Sequence, residues 1–140
     1  MINDLAVILA MRARILLTGQ VTDASFFGYN DTIPDDAARP YILEHWDGGE
    51  EKPFTNMTTR KKAVMTYWIE GIPGQGVRPL LELAYAVSGC FALLGDKAVI
   101  RTNDTGGEME ATITSVGMGV TDQAGRIRIT IALTINHTAG

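Results

Sequence analysis

The chain has 140 residues, 46% of them hydrophobic and 20% charged, which predicts one globular domain over residues 1–140 and argues against global disorder. Its net charge of −4 is opposite to the basic balance typical of nucleic-acid-binding domains. The single cysteine excludes an internal disulfide and a zinc site built from cysteines. No apolar run approaches the roughly 20 residues that a membrane span needs, so we expect no membrane partner.

The N-terminal segment predicts an amphipathic helix over residues 3–17. Apolar side chains recur there at helical spacing, and Asn3 or Asp4 can cap the first turn. Asp4 precedes the apolar stretch and Arg12 lies inside it, a charge order that is wrong for a secretory signal. The apolar stripe is wide, which predicts burial against a partner as well as against the domain's own sheet.

Two long segments rich in turn-forming residues, 18–39 and 47–62, are predicted to be loops, and residues 40–46 and 63–69 are predicted strands. Both loops carry large apolar side chains, and such groups on exposed loops often indicate a partner. The candidate interface residues are Phe26, Phe27, Tyr29, Phe54 and Met57. We expect the three phenylalanines and Met57 to be exposed or mobile in a free subunit and buried between subunits after assembly.

The second half of the chain predicts one helix and three strands. The helix covers residues 79–94, with Pro79 in its first turn, Cys90 on its buried stripe and Gly95 as its C-terminal cap. Predicted strands follow over 98–102, 108–120 and 126–135. The last strand alternates strictly, with isoleucines and a leucine on one face and the candidate interface residues Arg126 and Arg128 on the other.

The order α-β-β-α-β-β-β predicts an α+β fold. We expect a mostly antiparallel or mixed β-sheet of about five strands with both α-helices packed on one face.

The residues that could carry chemistry do not form a recognisable catalytic or metal-binding set. His45 shares a strand face with Asp47, but a third metal ligand is missing nearby. The glycines between residues 71 and 76 match neither the dinucleotide-binding fingerprint nor the phosphate-binding loop. We therefore predict no catalytic residue, no cofactor and no metal, and a protein that works by docking to other proteins.

The order of elements resembles that of the tail terminator, or tail completion, proteins of long-tailed bacteriophages and related phage-like particles. The resemblance is carried by an N-terminal amphipathic helix, a strand opening Pro40-Tyr41-Ile42-Leu43, and an aromatic strand, Thr66-Tyr67-Trp68-Ile69, that leads into the second helix. A closing meander ends in the alternating isoleucines of residues 127–133. The resemblance spans nearly the whole chain and rests on element order.

The resemblance implies a virion protein, assembled in the host cytoplasm, that forms a homo-oligomeric ring, commonly of six subunits, at the head-proximal end of the tail. The ring would cap the tube, end its polymerisation and join the head. Its implied partners are further copies of itself, the major tail tube protein and a head-completion or connector protein, with DNA passing through the lumen without specific binding. Two alternatives stay open: another head–tail closure protein of the particle, and a small-ligand-binding enzyme domain that uses the turn at residues 71–76.

Overall fold

A computed structural model describes residues 2–28, 30–72, 74, 76–92, 99–104, 107–119 and 125–139. In chain order, these residues form α1 (Asp4–Leu16), a short 3-10 helix (Asp23–Ser25), β1 (Phe26–Gly28), β2 (Tyr41–Asp47), β3 (Lys52–Thr55), β4 (Thr58–Glu70), α2 (Arg78–Gly89), β5 (Val99–Asp104), β6 (Gly107–Met118) and β7 (Arg126–Ala139).

The strands form one mixed sheet with the order β1-β2-β4-β7-β6-β5. The short strand β3 pairs with the start of β4, on the same side of β4 as β2. Strands β1 and β2 run parallel, and every other described pair is antiparallel. The α+β class and the mixed sheet are therefore confirmed.

The predicted number of strands, about five, is wrong, because the described residues form seven. The missing strands lie in the two predicted loops: β1 pairs with β2 over three residues, and β3 forms a hairpin with β4. Both strands are short, β1 contains a glycine and β3 a proline, so the local sequence pattern does not predict them; the distant strand β2 pairs with β1, and the adjacent strand β4 pairs with β3. Helix α2 ends at Gly89, earlier than predicted, and residues 93–98 lie outside the described residues.

Both helices pack on the same face of the sheet, as predicted. The inward residues of β4 and β7 are the odd-numbered ones, and Ile127, Ile129 and Ile131 are almost completely buried. Helix α1 contributes every fourth residue to this core, three in all, and α2 contributes four residues at helical spacing. These helical core residues are Val7, Met11, Ile15, Leu80, Leu83, Ala84 and Val87.

A largely buried ion pair joins α1 to the sheet. The Glu44 side chain in β2 lies on the helix-covered face, is only 6% exposed and pairs with the Arg12 guanidinium of α1. Arg12 also lies 3.6 Å from the Asp23 carboxylate and 5.0 Å from the centre of the Phe26 ring. One arginine therefore connects α1 with both β2 and the segment that leads into β1.

The charge states of this pair depend on each other. Burial raises the pKa of the Glu44 carboxyl, because it disfavours the charged form, while the hydrogen bond and charge of Arg12 act in the opposite direction. The carboxylate hydrogen bond raises the pKa of Arg12, so the arginine stays charged.

Replacing Arg12 tests this anchor. We expect Arg12→Ala to lower the free energy of unfolding at neutral pH by about 3 kcal/mol, because it leaves a buried carboxylate without its partner. Urea denaturation followed by circular dichroism measures the effect. The exposed pair of Arg101 and Glu110 provides the control, and Arg101→Ala should cost less than about 1 kcal/mol.

The pH dependence of the Arg12→Ala effect has a defined sign. Without Arg12 the pKa of Glu44 rises further above its unfolded value, so the folded state takes up a proton at higher pH than the unfolded state does. The variant should therefore recover stability relative to the natural chain as the pH falls through the raised pKa of Glu44. A difference in unfolding free energy that stays constant across this pH range would contradict the buried pair.

The turn after β2 requires glycine at one position in particular. Gly49 has a φ of +64°, and a Cβ added there would lie 2.1 Å from the backbone oxygen of Lys62 in β4. Gly19 also has a positive φ, +74°, but a Cβ there meets nothing within 4 Å. An alanine at Gly19 would therefore introduce backbone strain alone, whereas an alanine at Gly49 would introduce both backbone strain and steric overlap.

We expect Gly49→Ala to lower the free energy of unfolding by clearly more than Gly19→Ala. The strain of an alanine at a left-handed position costs about 1 kcal/mol at either site, and Gly49→Ala adds an overlap with the backbone of the central strand β4. Chemical denaturation of both variants measures the difference. Equal losses of stability would show that the turn does not lie against Lys62.

Candidate interaction surface

The face of the sheet opposite the helices is the candidate functional surface, and we call it the open face. Cross-strand partners share a face, so the register places the even-numbered residues of β4 and β7 together with the odd-numbered residues of β2 on this side. No helix in the described ranges covers it. Its residues on these three strands include Tyr41, Leu43, His45, Val64, Thr66, Trp68, Glu70, Arg126, Arg128, Thr130, Ala132 and Thr134.

A line of contacts crosses the open face from β1 to β4. The rings of Phe27 and Tyr41 meet edge to face, with centres 5.6 Å apart and planes at 81°. The Tyr41 hydroxyl donates a hydrogen bond to the Glu70 carboxylate, and the Arg39 guanidinium lies 5.5 Å from the Tyr41 ring centre. Burial, followed by the hydrogen bond to Glu70, raises the pKa of Tyr41, so its hydroxyl remains a donor.

The same line continues to β7. Arg126 donates to the other oxygen of the Glu70 carboxylate, and the side chain of Glu70 is only 15% exposed. The guanidinium carbons of Arg126 and Arg128 each lie 5.6 Å from the Trp68 ring centre. A tryptophan beside two arginines is a composition typical of energetically dominant interface residues. This open-face row consists of Phe27, Tyr41, Glu70, Arg126, Trp68 and Arg128.

The β3–β4 hairpin carries a second group of exposed side chains. Phe54 is 54% exposed and Met57, in the turn, is 63% exposed. The Arg60 guanidinium lies 3.5 Å from the centre of the Phe54 ring and donates a 2.6 Å hydrogen bond to Asn136 of β7. The hairpin is thus attached to the sheet while its apolar side chains face solvent.

The predicted interface residues have different fates in the structure. Phe54 and Met57 are exposed, as expected of a single subunit, and their burial in an assembly stays a prediction. The expected exposure of Phe26 is wrong: it is 7% exposed and belongs to the core, because β1 pairs with β2 and turns this ring beneath α1. Phe27 is half-buried against Tyr41. Tyr29 lies outside the described residues.

The predicted wide apolar stripe of α1 is only partly covered. Leu5 and Leu9 are 62% and 47% exposed, although the opposite side of the helix is fully buried. Leu17, directly after the helix, is 87% exposed, and Tyr85 on α2 is 65% exposed. The helix-covered side of the molecule therefore also offers apolar surface.

The described residues contain no group of three or more histidine, cysteine or acidic side chains placed to hold a metal ion.

Cys90 follows α2 directly and is half-buried, whereas the sequence predicted that it lies on the helix. Its thiol lies 3.3 Å from the Ala86 carbonyl oxygen and 3.6 Å from that of Arg14. Burial raises the pKa of this thiol, which is opposite to the shift that activates a catalytic cysteine.

Sequence reasoning missed three members of the open-face row: Tyr41, Trp68 and Glu70. They lie on two different strands, and the contacts of Glu70 join residues 29 and 56 positions apart. The alternation within β4 could have placed Trp68 and Glu70 on one face, but only the pairing of β4 with β2 and β7 brings Tyr41 and the two arginines to them.

No protein-family model matches this chain, and no curated protein matches it significantly. Among the described residues, no helix combines the length and the apolar composition needed to cross a bilayer.

The contrast between Phe26 and Phe54 gives a direct test of these assignments. We expect Phe26→Ala to lower the free energy of unfolding by about 3 kcal/mol or more, because it opens a cavity in the core. Phe54→Ala should change it by less than about 1 kcal/mol, because the ring is more than half exposed. Thermal and urea denaturation of both variants measure the difference, and a large loss for Phe54→Ala alone would reverse the two assignments.

Proposed function

We propose that this protein is a structural subunit of a phage-type tail that forms a ring on the tail tube, ends its polymerisation and provides the surface that joins the head. The observation that supports this most directly is the open face, where an aromatic and charged row lies on a sheet with no described helix above it. The sequence resemblance to tail terminator proteins supplies the identity of the assembly. In this proposal the chain works by docking and has no catalytic role.

The edges of the sheet favour self-association. Among the described strands, β1 and β5 end the strand order, so each has one edge that pairs with no other described strand. Such edges can accept a strand or loop from another chain through main-chain hydrogen bonds. The two edges differ in length and sequence, so a contact between the β1 side of one subunit and the β5 side of the next joins unlike surfaces. Such a head-to-tail contact can repeat from subunit to subunit and close into a ring.

The β3–β4 hairpin supplies an apolar contact for a neighbour. Phe54 and Met57 lie on its exposed surface, and their burial would remove apolar area from water at a favourable free energy of about 25 cal/mol per Å². The bond of Arg60 to Asn136 holds the hairpin against β7, which limits the conformational entropy lost on docking.

Solution mass tests the assembly. We expect the purified chain to form a closed oligomer several times the 15.1 kDa of one subunit in sedimentation velocity, and a ring in negative-stain electron micrographs. A double variant, Phe54→Ser with Met57→Ser, should weaken the assembly by about tenfold or more without loss of fold, because both side chains are exposed. Tyr85→Ser, which removes an exposed aromatic from α2, is the control and should leave assembly unchanged.

Tube growth tests the specific role. Adding the purified protein to its polymerising tail tube protein should shorten the tubes and place a ring at one end. A different head–tail closure protein of the particle would assemble without changing tube length. A monomer at high concentration that also leaves tube length unchanged would contradict the proposal.

A further inference from the structure

The charge of the open face differs in sign from the charge of the whole chain. The chain carries a net −4, yet the centre of the open face carries Arg126 and Arg128 beside Trp68. Glu70, the carboxylate nearest to them on β4, already accepts bonds from Tyr41 and Arg126. Arg128 is exposed, and no carboxylate in the described ranges lies within ion-pair distance of it.

A shallow depression surrounds this arginine and has a volume of about 380 Å³. Its lining includes a tryptophan and two threonines, a mixture of apolar and hydrogen-bonding side chains that suits a partner segment of mixed character. The lining residues are His45, Thr66, Trp68, Arg128 and Thr130.

The same chain carries a complementary acidic turn between β1 and β2. Asp35 and Asp36 are exposed and make no ion pair with a cation of the described chain. The turn has a defined shape, because the Ala37 amide donates a 3.1 Å hydrogen bond to the Pro34 carbonyl. Ile33 and Pro34 precede the two aspartates and add apolar surface.

Asp31, at the start of the same segment, has a different role. Its carboxylate accepts a 2.6 Å hydrogen bond from the Gly28 amide at the end of β1, so it holds the segment in place. Asp35 and Asp36 are therefore the acidic groups of this segment that are available to a partner.

We propose that the open face around Trp68 and Arg128 receives the Ile33–Asp36 turn of a second copy of this chain. The Asp35 and Asp36 carboxylates would pair with Arg128, and Pro34 would lie against the indole ring of Trp68. The inference rests on the proposed self-assembly and assigns one of its interfaces. Charge complementarity selects this occupant over a second open face, because two open faces would bring arginine against arginine.

This contact joins two different patches, since the turn lies between β1 and β2 while Arg128 lies on β7. An interface between unlike patches is heterologous, and its repetition produces a closed ring or a filament instead of a two-fold dimer. The inferred interface therefore has the symmetry that the proposed ring requires.

Charge reversal on each side tests the contact. We expect Arg128→Glu, and separately the double variant Asp35→Arg with Asp36→Arg, to raise the dissociation constant of self-association by about tenfold or more in sedimentation equilibrium, since each places like charges together. Both changes lie on exposed side chains, and circular dichroism should show an unaltered fold. Arg78→Glu, a charge reversal at another exposed arginine at the start of α2, is the control and should leave the dissociation constant unchanged.

Combining the reversals gives the decisive result. A chain with Arg128→Glu, Asp35→Arg and Asp36→Arg together should have a dissociation constant of self-association within about threefold of that of the natural chain. An equimolar mixture of the two reversed variants should give the same result, because both experiments restore opposite charges at the contact. If the natural chain assembles and neither the Arg128 reversal nor the Asp35 and Asp36 reversal changes its dissociation constant, this interface is wrong while the proposed ring stands. A natural chain that stays monomeric would overturn both.

Discussion

The continuous pairing of β4 with β7 is the constraint on which the rest of the structure depends. Residues 58–70 of β4 pair without interruption with residues 126–138 of β7. Because side chains alternate between the two faces, this single register places the isoleucines of β7 with Tyr67 and Met65 of β4 in the core, and Trp68 with Arg128 on the open face. A slip of one residue would exchange the two sets, so the hydrophobic effect fixes the core and the open-face row together.

The two faces are linked through β2. Glu44 faces the helices and binds Arg12 of α1, whereas Tyr41, on the other face of the same strand, donates to Glu70. A change that moves β2 along β4 would therefore break a buried ion pair and the open-face row together. Because separating a buried charge from its partner is costly, the Arg12–Glu44 pair stabilises the position of β2 in the sheet.

The sequence predicts the long, regular elements well because their information is local. The strict alternation of residues 126–135 predicts β7 and its buried face, and the spacing of apolar residues with the Asn3 cap predicts α1 to within a residue at each end. The Asn3 side chain accepts a 3.2 Å hydrogen bond from the Ala6 amide, as a capping residue should. The helix-covered face follows from these patterns without any knowledge of the pairing.

The remaining features depend on strand pairing, and most of that pairing joins distant segments. Strand β1 has three residues and ends in glycine, and β3 has four and includes a proline, so neither carries a strand signal of its own. The predicted exposure of Phe26 is wrong for this reason. A phenylalanine in a turn-rich segment is expected to be exposed, and only the pairing of β1 with β2 buries its ring. The open-face row is equally non-local, and its aromatic members gave no motif that a single strand could display.

Glu70 shows how a rigid docking surface can arise on a sheet with no second layer above it. Its carboxylate is only 15% exposed and is shared between the Tyr41 hydroxyl and Arg126. Those two contacts hold Arg126 beside Trp68, and Arg128 lies at the same 5.6 Å from the ring. Side chains that are already ordered lose less conformational entropy when a partner binds. The open face thus presents an aromatic ring and two cations in a fixed arrangement, and the register that builds the core also builds this surface.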